Sequence, residues 1–269
     1  APTIWGLGQK VADKIDEARE GGVDVTFDLY PYTAGCAPLF ALLPDWALQG
    51  GPDQILIRLK DRSLTQRMAS EMKACSAEWT TYTLSNAPSL PCGDWDGVKL
   101  NEIATCLDMT VEAIVPLLLL ESELDATFIA HSGSEVDNDL LFAHPACMAG
   151  SDGVLLGSHP HPRGYGAFPR ILAHYVRDKK VLSWEEAIHK MSGQPAARLN
   201  LQDRGLLRKG TKADVVVFDP ERVQDTATYS HGKRLATGIE WVFVNGEAVV
   251  ENEKYREGHS GQVLRPLER

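Results

Sequence analysis

Three things are scarce in this sequence, and each scarcity removes a class of explanation. Cysteine is the first: there are five, Cys36, Cys75, Cys92, Cys106 and Cys147. Their number is odd, no CxxC pair occurs and the spacings are irregular. That argues against a disulfide framework and against a cysteine-type structural zinc site. The expectation is reduced, mostly buried thiols in a cytoplasmic protein. Positive charge is the second scarcity. Lys and Arg total 27 against 37 Asp and Glu, a net charge of −10 over 269 residues. Nucleic acid and anionic membranes both require clustered positive charge, so neither is expected as a partner. Long apolar runs are the third. None approaches the ~18 residues of a membrane-spanning helix, and the longest, Ile114 to Leu120, contains Pro116. Nucleotide-binding signatures are missing as well, with neither a P-loop nor a GxGxxG. Ser132 and Ser134 lack the GxSxG setting of a serine hydrolase.

What remains is an ordinary globular composition, 43% hydrophobic and 24% charged, with enough chain to bury a real core. The apolar spacing of Val11, Ile15 and Ala18 predicts a helix over 7–21, stopped by Gly21-Gly22. Val23 to Tyr30 alternates apolar and polar residues and predicts a strand. Helix, double glycine and strand form the rhythm of an α/β protein. Over about 33–110 the rhythm lapses into prolines and short helical stretches (52–60, 63–75), which reads as an insertion of mainly helices. It returns with a helix at 110–123 capped by Thr110, a strand from Ala126 to His131, a helix at 134–143 and a strand from Cys147 to Ser151. Helices at 166–178 and 183–192 follow, the second opened by a Ser183/Glu186 capping box. From 205 the character changes to a small β unit: a buried strand, Ala213 to Phe218, then Ile239 to Val244 and an Asn245-Gly246 hairpin turn. The chain thus divides at about 204/205.

Four places could carry chemistry. Asp152, between glycines at the end of a strand, is placed as a metal ligand or general base if the strand belongs to an α/β barrel, where such ends converge. An ordinary Asp-Gly turn reads equally well locally. His159 and His161 have the spacing of a metal pair, but the alternating prolines of HPHPR argue against a strand that would aim both the same way. Arg163, in the same rigid loop, could clamp a carboxylate or pair with a surplus surface acid. Tyr30 and Tyr32 follow another strand end, where a phenol could meet a substrate or pack at the rim. His131 ends a strand alone, which fits a structural histidine.

Together these residues resemble the amidohydrolase superfamily, and more narrowly its N-acyl-D-amino-acid deacylases (D-aminoacylases). The matching stretches are DVTFDLYPYTAG (24–35), ALLPDWALQGG (41–51), GSDG (150–153), HPRGYGAFPRIL (161–172), the run from Ser183 to Pro220, and GIEWVFVNGEAVV (238–250). The HPRxYGxFPR block with GSDG at this spacing carries the narrower resemblance. The RGxxxxGxxADVVVFDP ending carries only the broader one. The resemblance implies an α/β fold: the C-terminal half of a TIM-like (β/α)8 barrel over 1–204, with the insertion, and a C-terminal β-sandwich segment over 205–269. It implies a metal-dependent hydrolase of non-peptide C–N bonds, cleaving the amide of N-acyl-D-amino acids. Its cofactor would be Zn2+, which lowers the pKa of bound water toward ~7.

The resemblance places the catalytic, metal-touching aspartate at Asp152, the arginine for the substrate carboxylate at Arg163 and the tyrosine near the acyl-amide at Tyr30. Cys36 stands where the family has a substrate-binding serine, a departure from the pattern. The family's HxH pair, bridging cysteine and two further metal histidines have no counterpart here. The implied partners are a small N-acyl amino acid and a missing N-terminal segment or companion chain. Two other readings stand beside this one: a non-catalytic truncated or split homologue, and an amidohydrolase acting on cyclic amides or dipeptides.

Overall fold

A computed structural model describes residues 5–74, 79–87 and 93–265. Cys75 and Cys92 lie outside the described residues. Helix α1 (Gly8–Glu20) closes where Gly22 turns to φ +85° and the Val23 N–H returns to the Ala18 carbonyl at 2.9 Å. Its buried residues are Gly8 and Ala12, and Val11 is exposed. The strand expected over Val23–Tyr30 shortens to β1 (Phe27–Leu29). The carbonyls of Asp24 and Val25 are taken by the side chains of Arg198 and Arg19, so these residues are held without a strand neighbour.

The insertion differs from the mainly helical expectation. It opens with β2 (Ala34–Pro38), continues through α2 (Asp45–Leu48), α3 (Pro52–Leu59) and α4 (Arg62–Ala74), and returns as β3 (Tyr82–Asn86). Helices α5 (Leu100–Cys106) and α6 (Val111–Glu121) lead into β4 (Thr127–His131). β4 then pairs antiparallel with both inserted strands, in the order β2-β4-β3, with Cys36 opposite Ile129 and Thr83 opposite Ile129. Alternation sorts the side chains of the three strands onto two faces. Ala37, Tyr82, Leu84, Phe128 and Ala130 turn one face onto a core of insertion helices and α6, whose Ile103, Ile114, Leu118 and Leu119 are fully buried. The opposite face carries Cys36, Ser85, Thr127 and His131. Thr110 caps α6 by accepting from the Ala113 N–H.

Helix α7 (Glu135–Ala143), capped by Ser134, precedes β5 (Cys147–Ala149), which pairs parallel with β1. Helix α8 (Arg163–Arg170) passes into a π-helical stretch, Ile171–Asp178, directly after Pro169, whose missing N–H removes one ordinary helical bond. The capping box of Ser183 and Glu186 opens α9 (Trp184–Ile188), and α10 (Gln194–Arg198) follows. A second core gathers Phe142, Cys147, Ile171, Tyr175 and Val176 against Phe27 and Leu29.

The β unit is one antiparallel sheet in the order β6 (Val215–Phe218), β7 (Ile239–Val244), β8 (Glu247–Glu251) and β9 (Lys254–Tyr255). Asn245 (φ +51°) and Gly246 (φ +88°) form the expected turn. β6 departs from the buried strand expected. Among the described residues it is an edge strand with one neighbour, and Val216 and Val217 are 54% and 42% exposed. Phe218 and Ile239 nevertheless join the second core. The α/β content matches the sequence reading, while the described strands form three separate sheets.

Candidate functional site

The site lies between the two cores, where the loop after β5 meets β2. Asp152 sits three residues past the end of β5 with φ +45°, a strained backbone for a residue other than glycine. Gly150 is required by close approach, since a Cβ there would lie 2.8 Å from Asp28 Oδ2. Together these features turn the Asp152 carboxylate outward, where it is 64% exposed.

Arg163 is the first residue of α8 and, among the described residues, the largest fully buried side chain, at 2% exposure. Its Nη2 donates to Asp152 Oδ2 at 2.8 Å and to the Cys36 carbonyl at 3.3 Å. Its guanidinium lies 4.6 Å from the centre of the Tyr30 ring. Among the described residues its Nε–H has no hydrogen-bond partner. Enclosing a cation this fully is costly unless it is paired, so the surface-arginine reading of this residue is set aside. Asp152, Arg163, Tyr30 and Cys36, the four positions that the resemblance points to, lie together around the Arg163 guanidinium.

Cys36 lends Arg163 its backbone carbonyl. Its thiol reaches toward the hydroxyls of Ser85 and Thr127, and burial pushes its pKa up against the opposing pull of Arg163. Tyr32 is committed elsewhere: its hydroxyl donates to Asp225 at 3.4 Å, and burial, then the Asp225 charge, push its pKa up. Tyr30 is therefore the phenol that serves Arg163.

The two histidines of HPHPR part company. His159 Nδ1 lies 2.9 Å from Ser158 Oγ. His161 is fully buried, with Nε2 at 2.9 Å from the Ala34 carbonyl and Nδ1 accepting the Arg163 backbone N–H at 3.0 Å. Burial first, and the Arg163 charge second, push its pKa down to about 3. His131 is also lowered, by burial and then by Lys99, and rests 4.5 Å from the Tyr229 ring. Sequence reasoning missed Tyr229. It reaches in from the β unit, its hydroxyl meeting Thr33 and the Ala34 backbone. No local motif marks it, because its role depends on how residues 219–237 cross the molecule.

Among the described residues no three His, Cys, Asp or Glu side chains converge as a metal site, and Asp152 is occupied by Arg163. Catalytic zinc normally takes about three protein ligands. The residues present here do not fit a metal by themselves.

Comparison with known proteins shows what the chain is similar to. Residues 138–250 match the model of the amidohydrolase family, Amidohydro_3. That region is similar to amidohydrolases, and the relatives the chain shares sequence with include N-acyl-D-amino-acid deacylases and dihydroorotases. Two relatives from Alcaligenes xylosoxydans xylosoxydans match over 248 residues, 92% of this chain and 43% of each relative: an N-acyl-D-glutamate deacylase at 37% identity and a D-aminoacylase at 40%. The N-acyl-D-glutamate deacylase of Bordetella bronchiseptica, solved with zinc and a phosphonate mimic of the tetrahedral intermediate, superposes with a TM-score of 0.76 at 31% identity. That match covers 98% of this chain and 47% of the solved one. The chain thus spans less than half the length of these relatives.

Proposed function

We propose that this chain is the carboxylate-recognising and proton-handling portion of a metal-dependent hydrolase that cleaves the amide of N-acyl-D-amino acids. The observation that carries this reading is the buried Arg163 guanidinium, held on the Asp152 carboxylate at 2.8 Å beside Tyr30. A cation so enclosed, with one N–H unpartnered among the described residues, suits a planar carboxylate arriving as a second acceptor. The substrate α-carboxylate takes Nη2 from Asp152. The released Asp152 carboxylate accepts a proton from the attacking water as the C–O bond forms. It then returns that proton to the leaving nitrogen as the C–N bond breaks. The products are a carboxylate and the free D-amino acid.

Zinc is the metal this reading expects, on the resemblance and on the zinc held by the Bordetella relative. The partial barrel of 1–204 would receive its remaining metal ligands from a further segment or companion chain, and 205–269 would belong to a β-sandwich. The competing reading, a non-catalytic homologue that assists folding or assembly, draws on the missing ligand set among the described residues.

Zinc content and turnover of N-acetyl-D-amino acids, measured on this chain and on a longer form, separate the two. The proposal expects D-specific hydrolysis from the longer form, abolished by Asp152→Asn. Unchanged hydrolysis in that variant would contradict it. Zinc retained at one per chain by these 269 residues alone would overturn the account of the metal.

A further inference from the structure

The buried His161 does not pair with His159 and takes no part in the proton steps above. Its surroundings define its protonation. The Arg163 backbone N–H is a donor, so the Nδ1 facing it at 3.0 Å must be bare. The Ala34 carbonyl is an acceptor, so the Nε2 facing it at 2.9 Å must carry the proton. Only the neutral Nε2–H tautomer satisfies both. The neutral form also avoids placing a second cation beside the Arg163 guanidinium. The prolines on either side, Pro160 and Pro162, fix the backbone from which the ring projects. Tyr30, Tyr32 and Tyr229 surround it edge-on, with ring centres at 6.1, 5.4 and 5.2 Å.

The Arg163 N–H would otherwise be one of the unsatisfied donors at the start of α8. His161 therefore acts on Arg163 twice: through the backbone N–H, and through the Tyr30 ring on which the guanidinium rests. It also ties the loop to β2, the strand whose Cys36 carbonyl holds the same guanidinium.

We propose that His161 is a positioning residue for substrate recognition: a neutral two-sided strut between β2 and the first turn of α8 that sets where the Arg163 guanidinium stands. The role rests on the proposed function for its consequence, the binding of a substrate carboxylate, and on geometry alone for its structural part. The two are tested separately. In the first arm, nitrogen-detected NMR on the 269-residue chain reads the tautomer and the Arg163 Nε–H. Expected is a single Nε2–H tautomer that does not titrate between about pH 5 and pH 8, and an Arg163 Nε–H signal that is displaced by His161→Phe and largely restored in His161→Asn, which keeps an acceptor near the Arg163 N–H. A titrating imidazole, or an Arg163 signal unmoved in His161→Phe, overturns the proposal.

In the second arm, calorimetry compares N-acetyl-D-glutamate with its α-carboxamide on the folded chain. His161→Phe is expected to weaken the carboxylate about tenfold, with the carboxamide changed less than about twofold. Equal weakening of both would make His161 a general structural residue and contradict the proposal. If the wild-type chain binds neither probe, the proposed function fails, and the NMR arm alone decides the strut.

Discussion

A guanidinium shielded from water keeps its charge only where other groups replace the lost solvent. Around Arg163 these are one exposed carboxylate, one carbonyl and one aromatic face. Asp152→Asn removes the only charged member. Because that carboxylate is 64% exposed and solvent screens it, the loss of stability should be modest, about 1 kcal/mol. A thermal melt would show it as a lowered Tm. N-acetyl-D-amino acids should raise the Tm of this variant more than that of the wild type, since their carboxylate then meets an uncompensated cation. An equal rise in both would mean that the ligand does not use Arg163.

His161 gives a second prediction at this scale, one of pH dependence. Its folded pKa is depressed to about 3 from 6.5, so between those values the unfolded chain binds the extra proton. Its contribution to stability is therefore complete above about pH 6.5. It falls away as the pH drops through that window, by up to about 1.4 kcal/mol per pH unit. Denaturant titrations of wild type and His161→Phe across this range should differ in slope, the wild type losing stability faster toward acid. Parallel slopes would refute the buried neutral imidazole.

Helix α8 shows how an element holds the site at one end and the β unit at the other. Gly166 lies where a Cβ would come within 2.4 Å of Tyr32 Oη and 3.1 Å of Asp225 Cβ. Replacing a helical glycine by alanine ordinarily stabilises by about 1 kcal/mol. Here the collision should win, for a net loss of about 1–3 kcal/mol, with Tyr32 and Asp225 forced apart. A stabilised Gly166→Ala protein would show that this contact gives way. By contrast, Ser183→Ala removes a cap far from the site. It should cost about 1 kcal/mol of stability without altering ligand affinity, as paired melting and calorimetry would show.

The elements that were legible in the sequence are those with local causes. The Ser183 capping box, the Thr110 cap, the Asn245-Gly246 turn and the glycine stop after α1 each depend on a few neighbouring residues. The pairing of β4 was not legible. Its alternation announces a strand but carries no information on whether β1 or the inserted β2 and β3 lie beside it. The exposed edge of β6 has the same cause, because an apolar run does not reveal how many neighbours it will have. In the site, Asp152, Arg163, Tyr30 and Cys36 were reached through motif resemblance. The parts supplied by distant crossings, Tyr229 and the His161–Ala34 bond, were not.

At the scale of the molecule, two cores meet at one charged junction. One is built on the β2-β4-β3 sheet and the insertion helices, the other on β1, β5 and the helices after them. Arg163 joins them, rising from α8 on the second core to the Cys36 carbonyl on the sheet of the first. The net charge of −10 means that an anionic ligand gains nothing from the overall field, so recognition has to come from this local cation.

The most direct measurement is the binding of an N-acetyl-D-amino acid against its α-carboxamide by calorimetry, on wild type and on Arg163→Ala. If Arg163 receives the substrate carboxylate, the wild type should prefer the acid by about 10–100-fold, the worth of a charge-assisted pair. In Arg163→Ala that preference should vanish. A wild type that binds acid and amide equally, or a preference that survives the loss of Arg163, would contradict the account.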